Sequence, residues 1–514
     1  MRPATRALAA IICLVVLSFT VAACGSSSSS DKGKNPLDNA LGYVPKNSPF
    51  VASFDTNPKG RSFANAKAII EKFPFANQIE QGLTSGLKGQ KVDYNRDLKP
   101  LLGNQFVVGA TSVKSFVGSG SNDKSFVGAI QAKSGAKLKS VIKKEKSKDL
   151  GDKSGAKLYK SGSNFFAVKD DVLVVAGTRK LLEAAVARRG GDNRFSESAF
   201  DKGTGDLPKG SAVRTYFNLK ELLASDPNAA NALKIKWVKA LRSFGLSTAI
   251  ERNKIRVDFN LATDSSGLTD ADLPLAPGDK SPAVIDKAGE IGFGLRGLDQ
   301  IYTFGENAAQ AVDPNQFSSY EIAKQTVEKQ LNIDVGKDLF AQLSGDISLS
   351  SSVDGKFGLK AKVKDEAAFK KTLAKLGKVL PAIIQSSTGQ APKYKAAKGS
   401  NGLYSLVSAR QSLAYGVIDG NFVLSDTPAN ARQAATAPTS KVEGAAGALS
   451  MRADAAQLVN QGIRRATRSG AGGGQLGLGG VLGGALFTGP LGDISGSAKA
   501  DTSGVTGNFS LSFK

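Results

Sequence analysis

Histidine is missing from all 514 residues, and cysteine occurs only twice, at Cys13 and Cys24. Without imidazole there is no Ser-His-Asp triad and no histidine ligand for zinc, copper or haem. Cys13 lies inside an apolar leader and Cys24 at its end, so a processed chain keeps neither a free thiol nor a disulfide. Tryptophan occurs once, and nine tyrosines stand against 26 phenylalanines. Carbohydrate-binding faces use exposed Trp and Tyr platforms, whereas Trp237 falls on an apolar stripe, so its expected role is core packing. There is no Gly-x-Ser-x-Gly elbow and no Walker-type phosphate loop. No cofactor and no metal are expected.

The leader carries most of the information about location. Arg2 and Arg6 precede an apolar run from Leu8 to Val21, too short for a spanning helix, which ends in Val21-Ala22-Ala23-Cys24-Gly25. That ending resembles a bacterial lipobox, in which the peptidase cuts before the cysteine and acyl chains (diacylglycerol and palmitate) are attached to it. The alternative is an ordinary signal peptide that happens to contain a cysteine. The expected organisation is a signal peptide over residues 1–23, followed by a lipid anchor at Cys24 with a Ser-rich tether through residue 40. The protein would then sit on the extracytoplasmic face of the cell membrane.

Charge is one-sided, with 68 Lys and Arg against 45 Asp and Glu, a formal +23. Removing the leader takes two arginines and no acid, leaving +21. Such a balance favours anionic partners, here lipid headgroups or wall polymers, with nucleic acid excluded as a partner for an exported chain. Because Lys is spread without a dense block, the blander reading is solubility.

Along the chain, Phe50, Ala52 and Phe54 alternate as a strand face, and a helix is expected over Ala66–Leu83, ended or kinked by Pro74. Strands are expected in Leu101–Thr111 and Ser125–Lys133. Leu138, Val141 and Ile142 mark a short amphipathic helix, and a β-hairpin turns at Lys169-Asp170. Leu233, Trp237, Leu241 and Phe244 predict a helix over 229–244, before two strands that turn at Asn253-Lys254. After a Pro/Gly/Ser/Asp-rich junction at 263–289, the order restarts. Gly289–Gly294 stands where Phe50–Phe54 stood, Gln316–Leu331 reads as a helix, Phe357–Val363 echoes Phe126–Lys133, and a helix over 365–384 follows. Asp419-Gly420 repeats the hairpin turn. Landmarks recur roughly 230–250 residues apart, too far for a solenoid and right for a duplicated domain.

The fold class is therefore α+β: two pseudo-repeated lobes, 41–262 and 290–514, each a mainly antiparallel sheet with amphipathic helices on one face. A Gly-rich insertion at 469–490 interrupts the second lobe; a surface excursion is favoured there over a membrane-touching or ligand-gating loop.

Several residues invite chemistry. Ser134-Gly135-Ala136-Lys137 and Ser154-Gly155-Ala156-Lys157 fit Ser-x-x-Lys, but companion motifs are missing. Ser134 reads as a helix N-cap and Ser154 as a turn residue. Asp170 with Asp171 and Asp270 with Asp272 are carboxylate pairs, and Glu251 stands among basic neighbours. Solvated turn residues are the expected role, against a glycosidase or calcium site. Lys and Arg lie opposite the apolar stripes of the 229–244 and 365–384 helices, a pattern shared by helices on an anionic surface and helices covering a sheet.

The lipobox, the opening YVPKNSPFVASFDT, the restart LPLAPGDKSPA with GFGLRGL, and hairpin strands such as AYGVIDGNFVLSD resemble a family of actinobacterial and cyanobacterial proteins labelled domain of unknown function 3352. The resemblance would cover most of residues 40–514 and implies no activity, cofactor or catalytic residue. Function is expected to be non-enzymatic binding or scaffolding at the envelope, of an apolar or amphiphilic ligand or of an anionic envelope component. The alternative is a hydrolase using Ser-Lys or paired carboxylates. Any protein partner is left open.

Overall fold

A computed structural model describes residues 35–78, 94–117, 125–144, 147–286, 290–343, 345–353, 355–388, 393–396, 402–407, 412–468 and 488–514. The leader, Cys24, the Ser-rich stretch to Lys34 and most of the Gly-rich insertion lie outside them. The chain is α+β and divides into two compact units: residues 1–229 with 241–262 and 513–514, and residues 230–240 with 263–512.

In the first unit the strands are β1 Phe50–Asp55, β2 Gln105–Ala110, β3 Phe126–Gln131, β4 Lys148–Lys153, β5 Ala156–Ser161, β6 Asn164–Lys169, β7 Val172–Ala176, β8 Val213–Phe217, β9 Leu241–Glu251 and β10 Lys254–Thr263. They pair in the order β10-β9-β8-β1-β2-β3-β7-β6-β5-β4. Tight hairpins set the register at the β4–β5 and β6–β7 turns. Ser154 and Gly155 (φ 50° and 74°), and Asp170 and Asp171 (φ 49° and 62°), hold the left-handed backbone that a type I′ turn needs. The outer strand β4 is blunted by a bulge between Asp149 and Gly151 and by exposed Lys148, Asp152 and Lys153, which discourages pairing with another chain.

The first unit's helices are α1 Pro36–Leu41, α2 Arg61–Ile70, α3 Val113–Val117, α4 Gly135–Lys144, α5 Arg179–Arg188, α6 Glu197–Thr204 and α7 Leu219–Ser225. Because side chains alternate along a strand, the sheet offers two apolar faces. Both are used, which corrects the expectation of helices on one face. Val107, Val127, Val174 and Ala167 meet Leu41, Leu182, Val186 and Phe200 of α1, α5 and α6. Phe106, Ile130, Leu173 and Phe166 meet Leu138, Val141 and Ile142 of α4. Helix α1 also shortens the expected tether. Asn35 caps it, and Leu37, Ala40 and Leu41 are buried in the core, so folded structure starts before residue 41.

In the second unit helix α8 is Lys236–Ala240, and the strands are β11 Val284–Ile285, β12 Glu290–Arg296, β13 Asp346–Ser352, β14 Phe357–Lys362, β15 Lys393–Ala396, β16 Leu403–Val407, β17 Ser412–Ile418, β18 Asn421–Ser425, β19 Thr439–Ser440, β20 Leu449–Asp454, β21 Leu491–Asp501 and β22 Gly504–Phe513. The pairing order is β21-β20-β12-β13-β14-β18-β17-β16-β15, with Ser510 of β22 hydrogen-bonded to Ser495 of β21. Taken strand by strand, this is the connectivity of the first unit. The helices are α9 Leu298–Val312, α10 Pro314–Leu331, α11 Glu366–Thr388, α12 Pro428–Thr436 and α13 Ala455–Arg468. Phe369 and Leu373 of α11 pack on Ile347, Leu406, Tyr415 and Val417. On the other face, Ala431 of α12 packs on Leu403, Ala414 and Val423.

Two readings need correction. Residues 229–244 are not one helix: α8 stops at Ala240, and Leu241 and Phe244 belong to β9, paired with β8. The stretch 263–289 is more than a junction. Leu273, Val284 and Ile285 are buried, β11 pairs with β19, and the backbone carbonyls of Pro282 and Ala283 accept hydrogen bonds from Ser450 and Ser348.

Candidate functional site

Helix α4 shows how the sequence builds a charged surface. The Ser134 hydroxyl accepts from the Lys137 amide at 3.3 Å and so caps the helix start. Leu138, Val141 and Ile142 turn inward, while Lys137, Lys139, Lys143 and Lys144 are exposed, with no acid anywhere in the helix. Lys144 is held by Asp97 at 2.8 Å. Lys137, Lys139 and Lys143 form no ion pair among the described residues.

Helix α11 occupies the same place in the second unit, after that unit's third long strand. Asp365 replaces Ser134 as the cap, accepting from the Ala368 amide at 3.0 Å. Phe369 and Leu373 are buried, and Lys370, Lys371 and Lys378 are exposed. Glu366 holds Lys370 at 2.6 Å, and Lys375 donates to the Asn332 carbonyl. Each unit thus carries one helix fastened to its sheet by an apolar stripe, with lysines on the outer side.

A second feature is apolar. In the first unit a chain of half-buried rings crosses β10, β9, β8, β1 and β3. It runs Phe259–Phe244 (6.4 Å), Phe244–Phe217 (5.9 Å), Phe217–Phe50 (5.2 Å) and Phe50–Phe126 (6.3 Å), with Phe116 of α3 stacked on Phe50 at 5.3 Å. In the second unit, a cavity of about 10 Å³ between α12 and the sheet is lined by Glu290, Ser350, Lys356, Asn430 and Gln433, room for about one water molecule.

The residues singled out for chemistry are scattered. Ser134 spends its hydroxyl on the helix cap, and Ser154 sits in a hairpin turn, its carbonyl accepting from Lys169. Neither serine is recorded with a hydrogen bond to its lysine side chain. Asp170 is exposed at a hairpin tip, while the Asp171 carboxylate lies against Gly135 at the start of α4, where the helix dipole favours it. Asp272 pairs with Lys236 at 2.7 Å and accepts from Thr269, so it caps a turn, with Asp270 exposed beside it. Glu251 pairs with Lys254 across the β9–β10 turn. Trp237 is half-buried on α8. Among the described residues, no group of three or more His, Cys, Asp or Glu is placed to hold a metal ion, and no helix is long and apolar enough to cross a membrane.

Composition and spacing gave no sign of Asp55 at the end of β1. Burial pushes its carboxyl up to about 6, partly opposed by the Asn57 amide that donates to it. A raised acid favours its protonated folded form, so the native state loses stability as pH rises from about 4 to about 6. Asp55→Asn keeps an acceptor for Asn57. It is expected to stabilise the first unit by about 1 kcal/mol at pH 7, after discounting for partial exposure, with the gain shrinking towards pH 4. Urea unfolding at pH 4.5 and 7 checks this; a gain equal at both values would remove Asp55 as its source.

The fold and its surfaces define an α+β protein of two units with a basic helix on each sheet. The chain belongs to the family described as protein of unknown function (DUF3352), which matches residues 7–442. No curated protein matches it. Among solved structures it is similar to TP0453 in crystal form III, with 12% identity, a TM-score of 0.25, and coverage of 46% of this chain and 83% of that one. Crystal form I of TP0453 gives 14% identity, a TM-score of 0.26, and coverage of 47% and 83%.

Proposed function

We propose that this chain is an exported protein, anchored through acylated Cys24, with a non-enzymatic role in which its basic helices contact an anionic component of the envelope, lipid headgroups or wall polymers. One observation carries the reading: α4 and α11, equivalent in strand order, both bury an apolar stripe and turn several lysines outward. The shared pairing order supports a second part of the reading, that the units arose by duplication. A hydrolase is less well supported, because Ser134 and Ser154 serve a cap and a turn.

The test uses cells and then vesicles. Wild type is expected in the membrane fraction and Cys24→Ser in the soluble one. The released chain should bind phosphatidylglycerol vesicles but not phosphatidylcholine vesicles, and more weakly as salt rises. Replacing Lys137, Lys139 and Lys143 with Ser should weaken binding about a hundredfold, at roughly 1 kcal/mol per lysine near the surface. Equal binding to both vesicle types would sink the electrostatic reading, and retention of Cys24→Ser in the membrane would sink the anchor.

A second reading rests on the phenylalanine row, whose rings carry no polar group and suit an acyl chain. Native mass spectrometry after incubation with lipid extract would then show a stoichiometric adduct.

A further inference from the structure

Helices α9 and α10 form a hairpin in the second unit in which no residue is buried. Its inner side is well held. Glu306 accepts from Tyr302 at 2.5 Å, from Lys324 at 2.8 Å and from Tyr320 at 3.2 Å, and Tyr302 stacks on Phe340 at 4.1 Å. Burial opposes ionisation of Glu306, but these donors outweigh it and hold the carboxyl below its usual range.

The outer side differs from the rest of the molecule. In a chain that is 22% charged, Lys329 is the one charged residue among the exposed positions of α9 and α10. The outward stripe of α10 runs Asn315, Ser319, Ile322, Thr326 and Lys329, at alternating steps of four and three, with Ile322 at its middle and 67% exposed. That spacing is the seam of a helix packed on another helix. Scarcity of charge marks the core of a protein interface, and it gives nothing for an anionic membrane to attract.

The stripe also has a direction. Asp313, exposed, caps the start of α10 by accepting from the Gln316 amide, and Lys329 stands in its last turn. Neither forms an ion pair among the described residues. Two copies of α10 laid antiparallel about a two-fold axis through Ile322 bring each Asp313 end to the other copy's Lys329 end. They set Ser319 near Gln325, and Ile322 against itself. A parallel arrangement would put like charges together. Antiparallel helix dipoles favour the same choice. We propose that α10 is the contact surface for a second copy of this chain, in an isologous two-fold pair centred on Ile322. This is independent of what the basic helices bind.

The test is cross-linking in intact cells expressing the full-length chain. Ile322→Cys treated with a short bis-maleimide is expected to give a species of twice the chain's mass. The unsubstituted chain and Lys157→Cys, exposed on β5, should give none. Adding Lys329→Glu to Ile322→Cys should cut the dimer yield at least fivefold, because it faces Asp313 with a like charge. Adding Asp313→Lys as well should restore it. Trypsin resistance of each variant controls for folding, since Ile322 and Lys329 are exposed. Equal yields at Lys157→Cys and Ile322→Cys, or no dimer at Ile322→Cys, would overturn the pairing. A yield indifferent to Lys329→Glu would overturn the antiparallel arrangement.

Discussion

Asp201→Ala is expected to destabilise the first unit by about 3 kcal/mol, while Lys209→Ala, at the same carboxylate, costs under about 1 kcal/mol. The difference lies in burial. Arg214 of β8 has a side chain only 4% exposed, donates to Asp201 at 2.8 Å and to Thr204 at 2.6 Å, and lies 4.8 Å over the Phe200 ring. Its Nε is buried without a hydrogen-bond partner. Removing Asp201 would leave that guanidinium buried and uncompensated, the costly way to break a pair. Lys209 reaches the same carboxylate at 2.5 Å from a side chain 73% exposed, where ion pairs contribute little. Burial works against the Asp201 charge, but Lys209 and Arg214 outweigh it and hold the carboxyl below its usual range. Its contribution is therefore present at neutral pH and lost only as the solution is acidified through that lowered value. Chemical unfolding of the two variants side by side gives the answer, and equal losses would show that Arg214 does not depend on Asp201.

Phe369→Ala is expected to cost the second unit about 3–5 kcal/mol. The ring is fully buried beneath α11 and meets Phe422 edge-on at 5.5 Å. Phe369→Leu, which keeps most of the volume, should cost well under half as much. The loss should also loosen the basic face, because the same stripe fastens the helix that displays Lys371 and Lys378. Urea unfolding followed by backbone amide exchange in β13, β14 and β17 measures this. Unchanged protection in those strands would mean that α11 is held by other contacts.

Much of the strand framework was legible because its signals are local. Asp170-Asp171 and Asp419-Gly420 announce hairpins through residues that tolerate positive φ, and Ser134 announces α4 through its cap. The helix read over 229–244 failed because Leu241 and Phe244 satisfy a helical spacing and a strand alternation alike, and pairing with β8 settles between them. Helix α9 went unread: its apolar residues are half-exposed rather than buried, and it begins at Gly297 with no side-chain cap. The site was less legible than the fold. Lys137 and Lys143 could be placed on a helix face from sequence, but only the strand order shows that α4 and α11 are equivalent. The carboxylate pairs were legible as turn residues because Asp in such turns has a local role. Asp55, by contrast, owes its raised pKa to neighbours brought from β2 and β8, which no spacing in the chain records.

The position of β1 has a consequence for how the protein reaches its native state. β1 ends at residue 55 and lies between β2 and β8, and β8 begins only at residue 213. The second unit repeats the arrangement, with β12 waiting for β20. In both cases the centre of the sheet is the last part to close. Hairpins such as β6–β7 can form within microseconds, whereas the central pairing must first meet the entropy of closing a loop of well over a hundred residues. Such non-local topologies fold slowly at a given stability. Each unit therefore has an interval in which its outer hairpins are formed and its central strand still offers an unpaired edge.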